Sequence, residues 1–505
     1  MRFVKTRFVG ASQGPALSGS RTGRHRDLAV AIGIVAVIIR LIAINQPFVD
    51  QWSWRQSDVA SIARNYYQHG FQFAYPQIDW AGNEPGYVGT EFPILPFIAA
   101  VCYNFTGIHD WVGRVSAVIL FAASLPFFFL LVRKVFDANA ATWATFFYGF
   151  APLNLFAGRE FMPDVPSLSL ALIGLYFFLR WIEDQRSTSF CMAAALISLS
   201  ILIKLPTATI GAPLLYLAWQ KFRWNLFRQP SLWLFAAIAL LPSLAWYGHA
   251  YQIAEKLYPH HFFGAGGIRV ENLSWYWKIA TQISTSTLTP LLFALAVLSV
   301  FTARSTRTAR LFHAWLAAMI LFIVIVGYGN RHQWYQLPLV PIAAAFGGMA
   351  CASVSTKLAW PTMRIAWSIL LATAFVSLSF VYARPFYRPA AAALRDAGLE
   401  LKRTTAPNSL IVAADDGDPT IFYYAERKGW HFLEKDGIYE GNPLNSEQVI
   451  VDLAQLRRRG ATHLVFTANT FWWLDYYKEF AERVGESATL MEATPHFKIY
   501  ELNPR

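Results

Sequence analysis

FVDQWSWRQSDVASIARNYYQHGFQFAYPQIDWAGNEPGYVGTEFP, residues 48–93, is the stretch around which the chain is organised. It follows the first long apolar segment and gathers Asp50, Asp58, Asp79, Glu84 and Glu91 with Arg55, Arg64 and many aromatics. Carboxylates beside a membrane are costly unless they meet substrate, metal or cations. The stretch is therefore the first place to look for a site.

The rest of the chain is built for lipid. Of 505 residues, 55% are hydrophobic and only 15% charged, and the mean hydropathy is +0.33. That is more apolar surface than a soluble core needs, so the expectation is a polytopic α-helical membrane protein. The net charge of +12 could suggest nucleic acid, but the basic residues fall in short clusters between apolar segments, as topology signals do. Nucleic acid is therefore not expected as a partner. Cys102, Cys191 and Cys351 lie inside apolar segments without metal-ligand spacing, which indicates neither a disulfide framework nor a zinc site.

Six basic residues, Arg2, Lys5, Arg7, Arg21, Arg24 and Arg26, precede the first apolar run at 28–44. No small-residue cleavage pattern follows it, so the reading is a cytoplasmic tail and an uncleaved first helix. Further apolar segments fall at about 112–132, 140–157, 164–182, 189–203, 206–219, 231–249, 288–303, 311–328, 337–355 and 365–383. With eleven spans and the N-terminus inside, the clusters Arg133/Lys134, Arg180/Arg186, Lys221/Arg223/Arg228, Arg304/Arg307/Arg310 and Lys357/Arg364 all become cytoplasmic. A twelfth span at 91–105 would break that order. This segment is read instead as an interfacial or re-entrant helix, alongside a second interfacial helix at 56–69 whose Val59, Ile62, Ala63 and Tyr66 share a face.

The expected organisation is a basic tail at 1–27, a transmembrane region at 28–383 with its first outer loop at 45–111, and an outer α/β domain at 384–505. In that last part, 410–415, 463–468 and 497–502 read as strands. SEQVIVDLAQLRRRG and WLDYYKEFAERVG read as amphipathic helices. No phosphate-loop or dinucleotide fingerprint appears, which argues against an ATP-driven pump.

The chemistry-bearing groups gather on the expected outer face. Asp50 and Asp58 flank Arg55, and a carboxylate beside an arginine stays ionised and can take a proton from a hydroxyl; Asp58 could equally cap the helix. Arg159, Glu160 and Asp164 form GREFMPD, which also reads as an interfacial ion pair. Lys204 in ILIKLPTA violates the positive-inside pattern, which favours an anionic partner over topology, with snorkelling to the interface as the bland reading. Arg331, His332, Gln333 and Tyr335 form a candidate phosphate clamp. The loop at 258–278 adds His260, His261 and Arg269 with glycines and reads as a mobile lid; its adjacent histidines are a weak metal signal.

The ordered set DQWSWRQSDVASIARN, EFP at 91–93, GRVSA at 113–117, the Arg159 to Asp164 motif and HQWYQLPLVP at 332–341 resembles the GT-C glycosyltransferases. The similarity is to the bacterial branch that holds protein O-mannosyltransferases, aminoarabinose transferases and lipopolysaccharide galacturonosyltransferases. The resemblance covers about three quarters of the chain. It implies an inverting transferase of the bacterial inner membrane that moves a sugar from a polyprenyl-phosphate donor to a hydroxyl-bearing envelope acceptor on the periplasmic face. It implies a base among Asp50 and Asp58, and donor or phosphate contacts among Arg55, Arg64, Glu91, Arg159, Lys204, Arg269, Arg331, His332 and Tyr335. Asp164, Gln333 and Glu160 would orient the acceptor. Many relatives carry an Asp-Glu pair where this chain has Arg55 and Gln56, so Asp50, in a DxW pattern, is the favoured base. A divalent metal near Glu91 is implied in one branch, but Phe92 stands where that branch has lysine. A lipid-linked sugar flippase is the alternative class, although such proteins keep polar groups at mid-span.

Overall fold

The computed structural model describes residues 18–263, 268–302 and 308–503. Arg2, Lys5, Arg7, Arg304 and Arg307 lie outside them, as do the lid glycines of 264–267. A helix stands in each of the eleven apolar segments: Ser18–Leu41, Asp110–Val135, Ala138–Phe150, Asp164–Asp184, Ser187–Ile203, Gly211–Phe222, Pro230–Lys256, Pro290–Thr302, Arg310–Ile325, Leu339–Lys357 and Pro361–Ala383. Among the described residues, five helices are long and apolar enough to cross a membrane, or six if a bent pair counts as one span. The first arm of the bent pair begins inside the loop expected at 258–278, and the second fills the span expected at 288–303. Leu273–Thr287 is helical and meets Pro290–Phe301 at 109°, because Thr289 takes a left-handed φ of 74° and Pro290 cannot donate a helical hydrogen bond.

The two helices of the first outer loop are present as Ser53–His69 and Ile94–Thr106. Ser53–His69 does not lie on a lipid surface with one apolar face. It is buried on nearly all sides: Val59 and Ala63 pack with Leu95, Ala99 and Phe161, while Ile62 and Tyr66 pack toward the outer domain. Arginine, glutamine and aspartate on a helix buried this way must find partners inside the protein.

The outer domain carries strands β1 (Leu410–Ala414), β2 (Lys428–His431), β3 (Glu434–Lys435), β4 (Ile438–Tyr439), β5 (His463–Thr467), β6 (Ala488–Ala493) and β7 (Phe497–Leu502). Five form one sheet in the order β2-β1-β5-β7-β6, with β1 parallel to both neighbours and the last two pairings antiparallel. Alternation along β1 divides the core. Leu410, Val412 and Ala414 meet Val449, Leu453 and Phe480 on one face. Ile411 and Ala413 meet Leu394, Ala397 and Phe422 on the other, together with Ile62, Ile78, Trp80 and Val88 of the first outer loop. Edge strand β2 is covered by the same loop: Gly429 N–H donates to the Asp79 carbonyl at 3.0 Å, and Gly82 N–H to the Gly429 carbonyl at 2.7 Å. Left open, that edge would invite another strand.

Candidate active site

The helix Thr420–Ala425 docks the domain onto the membrane region. Tyr423 and Tyr424 donate to the Asp110 carboxylate at 2.9 and 2.7 Å, Ser57 and Thr420 hydroxyls lie 2.9 Å apart, and Arg64 donates to the Tyr423 carbonyl. Between the two units lies a cavity of about 500 Å³. The membrane region lines it with Trp54, Arg55, Glu91, Lys204, Arg331, His332 and Tyr335, the 258–263 segment with His261 and Phe263, and the outer domain with Asp416, Gly417, Asp418 and Tyr439.

Glu91 joins two of the cations. Its carboxylate receives Arg55 at 2.5 Å and Lys204 at 2.8 Å, and Asp164 lies 3.6 Å from Lys204. Burial alone would raise the Glu91 pKa, but Arg55 and Lys204 outweigh it and hold the group down to about 2. Arg331 donates to His332 at 3.1 Å and to the Tyr328 hydroxyl. His332 stacks on Trp334 at 4.4 Å, with Trp54 5.6 Å away. Burial, then Arg331, Lys204 and Arg55, push His332 down to about 3. Burial, then Arg55, lowers His261 to about 4. Both imidazoles are thus neutral at pH 7. On the membrane side Arg55, Lys204 and Arg331 outnumber Glu91 and Asp164 by one, and Asp416 and Asp418 face them from the outer domain.

Several expected site residues lie elsewhere. Asp50 is fully buried and lines no part of the cavity. It accepts from Gln56 Nε2 at 3.0 and 3.1 Å and from Trp52 N–H, and it faces Arg114 at 3.5 Å. Arg114 also reaches Glu160 at 3.7 Å, and Arg159 holds Glu160 at 3.1 Å while donating to the Ile42 carbonyl and to Gln46. Burial and then Asp50 raise Glu160 to about 8. These groups tie the loop to its neighbouring helices, and none of them lines the cavity. Asp58 also stands behind the wall, taking the Trp80 indole N–H at 3.0 Å; burial raises it to about 7 against the pull of Arg55. Gln333 spends its amide on Ser286 and Thr287 at 2.7 and 3.0 Å. Arg269 is exposed and paired with Glu271 at 3.0 Å.

Arg64, expected to contact phosphate, pairs instead with Asp79 at 2.5 Å, both side chains nearly inaccessible. Asn65 donates to the other Asp79 oxygen at 3.0 Å. Arg64→Ala would strand a buried carboxylate, so the expected cost is about 3–5 kcal/mol of stability, read as a lowered Tm of the detergent-solubilised protein. A Tm within error of wild type would mean that the pair contributes nothing.

The described part of the expected lid is pinned: Gly89 N–H donates to the His261 carbonyl at 3.1 Å, Phe263 N–H to the Gly89 carbonyl at 2.7 Å, and His260 N–H to the Asp436 carbonyl at 3.2 Å. A divalent metal at Glu91 does not fit. That carboxylate is already claimed by two cations, and no group of three His, Cys, Asp or Glu side chains that could hold an ion occurs among the described residues.

Residues 88–247 match the family model described as dolichyl-phosphate-mannose-protein mannosyltransferase. The structure of ArnT from Cupriavidus metallidurans bound to undecaprenyl phosphate superposes with a TM-score of 0.62 at 14% identity, over 97% of this chain and 100% of that one. The chain carries the GT-C glycosyltransferase fold. An oligosaccharyltransferase from Archaeoglobus fulgidus, solved with Zn and sulfate, superposes at 0.60 with 14% identity over 90% and 69% of the two chains. The mycobacterial arabinofuranosyltransferase AftD does so at 0.55 with 13% identity over 95% and 42%. No curated protein sequence matches the chain. The family match spans Glu91, Arg114, Asp164 and Lys204, and of the residues that line the cavity only Glu91 and Lys204 fall within it.

Sequence reasoning passed over Trp54, Phe263, Tyr328 and Tyr439, and left the outer domain with its DDGD at 415–418, which holds Asp416 and Asp418, open between binding the acceptor and covering the active site. The acidic DDGD at 415–418 was visible, and a signal for its place existed. It closes β1 of an α/β sheet, and such sheets bind ligands beyond the carboxyl ends of their strands.

Proposed function

We propose that this chain is an inverting glycosyltransferase that moves a sugar from a polyprenyl-phosphate carrier to a hydroxyl acceptor on the periplasmic face of a bacterial inner membrane. The observation that carries this reading is a cavity lined by Arg55 and Lys204, both tied to Glu91, and by Arg331. A sugar phosphodiester has one negative charge, and as the bond from sugar C1 to the phosphate oxygen breaks, that oxygen gains a second. Cations fixed in a cavity stabilise the second charge more than the first, which is the condition for catalysis rather than mere binding. His332 stacked on Trp334, with Trp54 tilted beside them, offers an aromatic face to a sugar ring.

The solved relatives lend support to the donor class: ArnT was solved with undecaprenyl phosphate, and the Archaeoglobus fulgidus enzyme AglB with dolichol phosphate. The protein would span the inner membrane many times, with the N-terminus cytoplasmic and the 384–505 domain periplasmic. The test is transfer of labelled sugar from a panel of polyprenyl-phosphate sugars to isolated envelope acceptors by the purified chain. Product from at least one donor is expected. Movement of a donor across vesicles without product would favour the flippase reading.

A further inference from the structure

We infer that the base that takes the acceptor's proton is Asp418, delivered to the cavity by the outer domain. The inference rests on the transferase reading above. A base must reach the reacting hydroxyl, and Asp50 and Asp58, 0% and 2% exposed, line no part of the cavity. The carboxylates that do line the cavity are Glu91, Asp416 and Asp418. Glu91 is neutralised by Arg55 and Lys204.

The geometry selects Asp418 over Asp416. Asp416 and Gly417 both take left-handed φ, 55° and 76°, and Asp418 N–H donates to the Asp415 carbonyl at 3.1 Å, closing a tight Asp-Gly turn. A Cβ on Gly417 would come within 2.6 Å of the Tyr439 ring, so the turn admits only glycine. The turn leaves Asp416 exposed, with only a 3.4 Å contact from Tyr439. It directs Asp418 to the first-loop helix, where Oδ2 accepts from Ser53 Oγ at 2.7 Å and Oδ1 from Thr420 N–H at 2.9 Å. Ser53 lies two residues before Arg55. One helix thus holds the phosphate-facing arginine and orients the carboxylate, and the carboxylate retains lone pairs for a hydroxyl.

In the reaction, the acceptor oxygen bonds to sugar C1 as the C1 to phosphate-oxygen bond breaks. Its electron pair leaves on the polyprenyl phosphate, and the hydroxyl proton passes to Asp418. The ionisable groups around Asp418 are Asp58, Asp415 and His431. Burial raises Asp418 to about 6, so its proton-accepting form is depleted as pH falls through that value.

The test compares wild type with Asp418→Asn, Asp418→Glu and Asp416→Asn in the donor-panel assay, with undecaprenyl phosphate binding followed by thermal shift. Asp418→Asn is expected to lower transfer by ~10²–10⁴-fold, to keep undecaprenyl phosphate binding, and to lose the acid limb of the pH profile near 6. Asp418→Glu should recover part of the rate. Transfer by Asp418→Asn within a few fold of wild type would overturn the assignment while leaving the transferase reading intact. So would a loss larger in Asp416→Asn than in Asp418→Asn. No transfer by wild type from any donor would overturn the transferase reading, and the base with it.

Discussion

Replacing Lys204 by methionine is expected to lower sugar transfer by about 10²–10³-fold, most of it in kcat. The ammonium sits 2.8 Å from Glu91 and 3.6 Å from Asp164, over the Tyr335 ring at 5.2 Å. In the proposed role it meets charge that grows as the phosphate leaves, so its loss falls on the transition state more than on donor binding. A bland explanation has to be separated from this: Lys204 could serve only to balance two buried carboxylates, and its removal would then simply make the cavity repel phosphate. The double variant Lys204→Met/Glu91→Gln decides between them. It restores the excess of one positive charge, with Arg55 and Arg331 against Asp164, but puts no cation back at 204. Stability is expected to recover in the double variant and turnover is not. If the second substitution returns turnover to near wild type, Lys204 is a counter-ion and the phosphate subsite lies nearer Arg331.

The membrane helices were legible because lipid leaves a chain few ways to satisfy its backbone, so each helix announces itself as an apolar run. The first-loop helix was legible from the shared face of Val59, Ile62, Ala63 and Tyr66. The roles of the carboxylates were not. Asp50 and Asp58 look alike in sequence, each near Arg55, and what each meets in the fold is decided largely by partners elsewhere in the chain. Gln56 and Arg114 close around Asp50, and Trp80 caps Asp58. Arg114 stood in view within GRVSA, yet nothing local says that its guanidinium turns inward to Asp50 and Glu160 rather than outward to a ligand. Arg64 and Arg159 carry the same ambiguity: an arginine in an acidic loop reads identically whether it meets phosphate or a carboxylate, and in the fold they meet Asp79 and Glu160. Asp418 was hidden by distance along the chain. Its partner Ser53 is 365 residues away, and that pairing exists only once β1 has placed the DDGD turn over the loop.

Truncating the chain after Arg388 is expected to abolish transfer completely and to leave the first outer loop open to protease, because that loop and the outer domain share one core. Ile62, Tyr66, Ile78, Trp80 and Val88 are each 5% or less exposed and pack in one cluster with Leu394, Ile411, Phe422 and Ile499. Removing the domain strips that face, uncovers an apolar patch of the kind that drives association, and leaves Asp110 without the two tyrosine hydroxyls that satisfy it. The loop also loses the β2 strand on which residues 79–82 are hydrogen-bonded. A separately folded cover would behave differently. Its removal would leave Arg55, Glu91 and Lys204 in place and donor binding intact. Limited proteolysis of the truncated chain, with cleavage sites read by mass spectrometry, distinguishes the two: cuts within 70–90 are expected. A loop as resistant as in the full chain would mean that the helix Ser53–His69 is held by the membrane region alone. In that case the active geometry would not depend on the shared core, and the outer domain would be needed for Asp418 and nothing else.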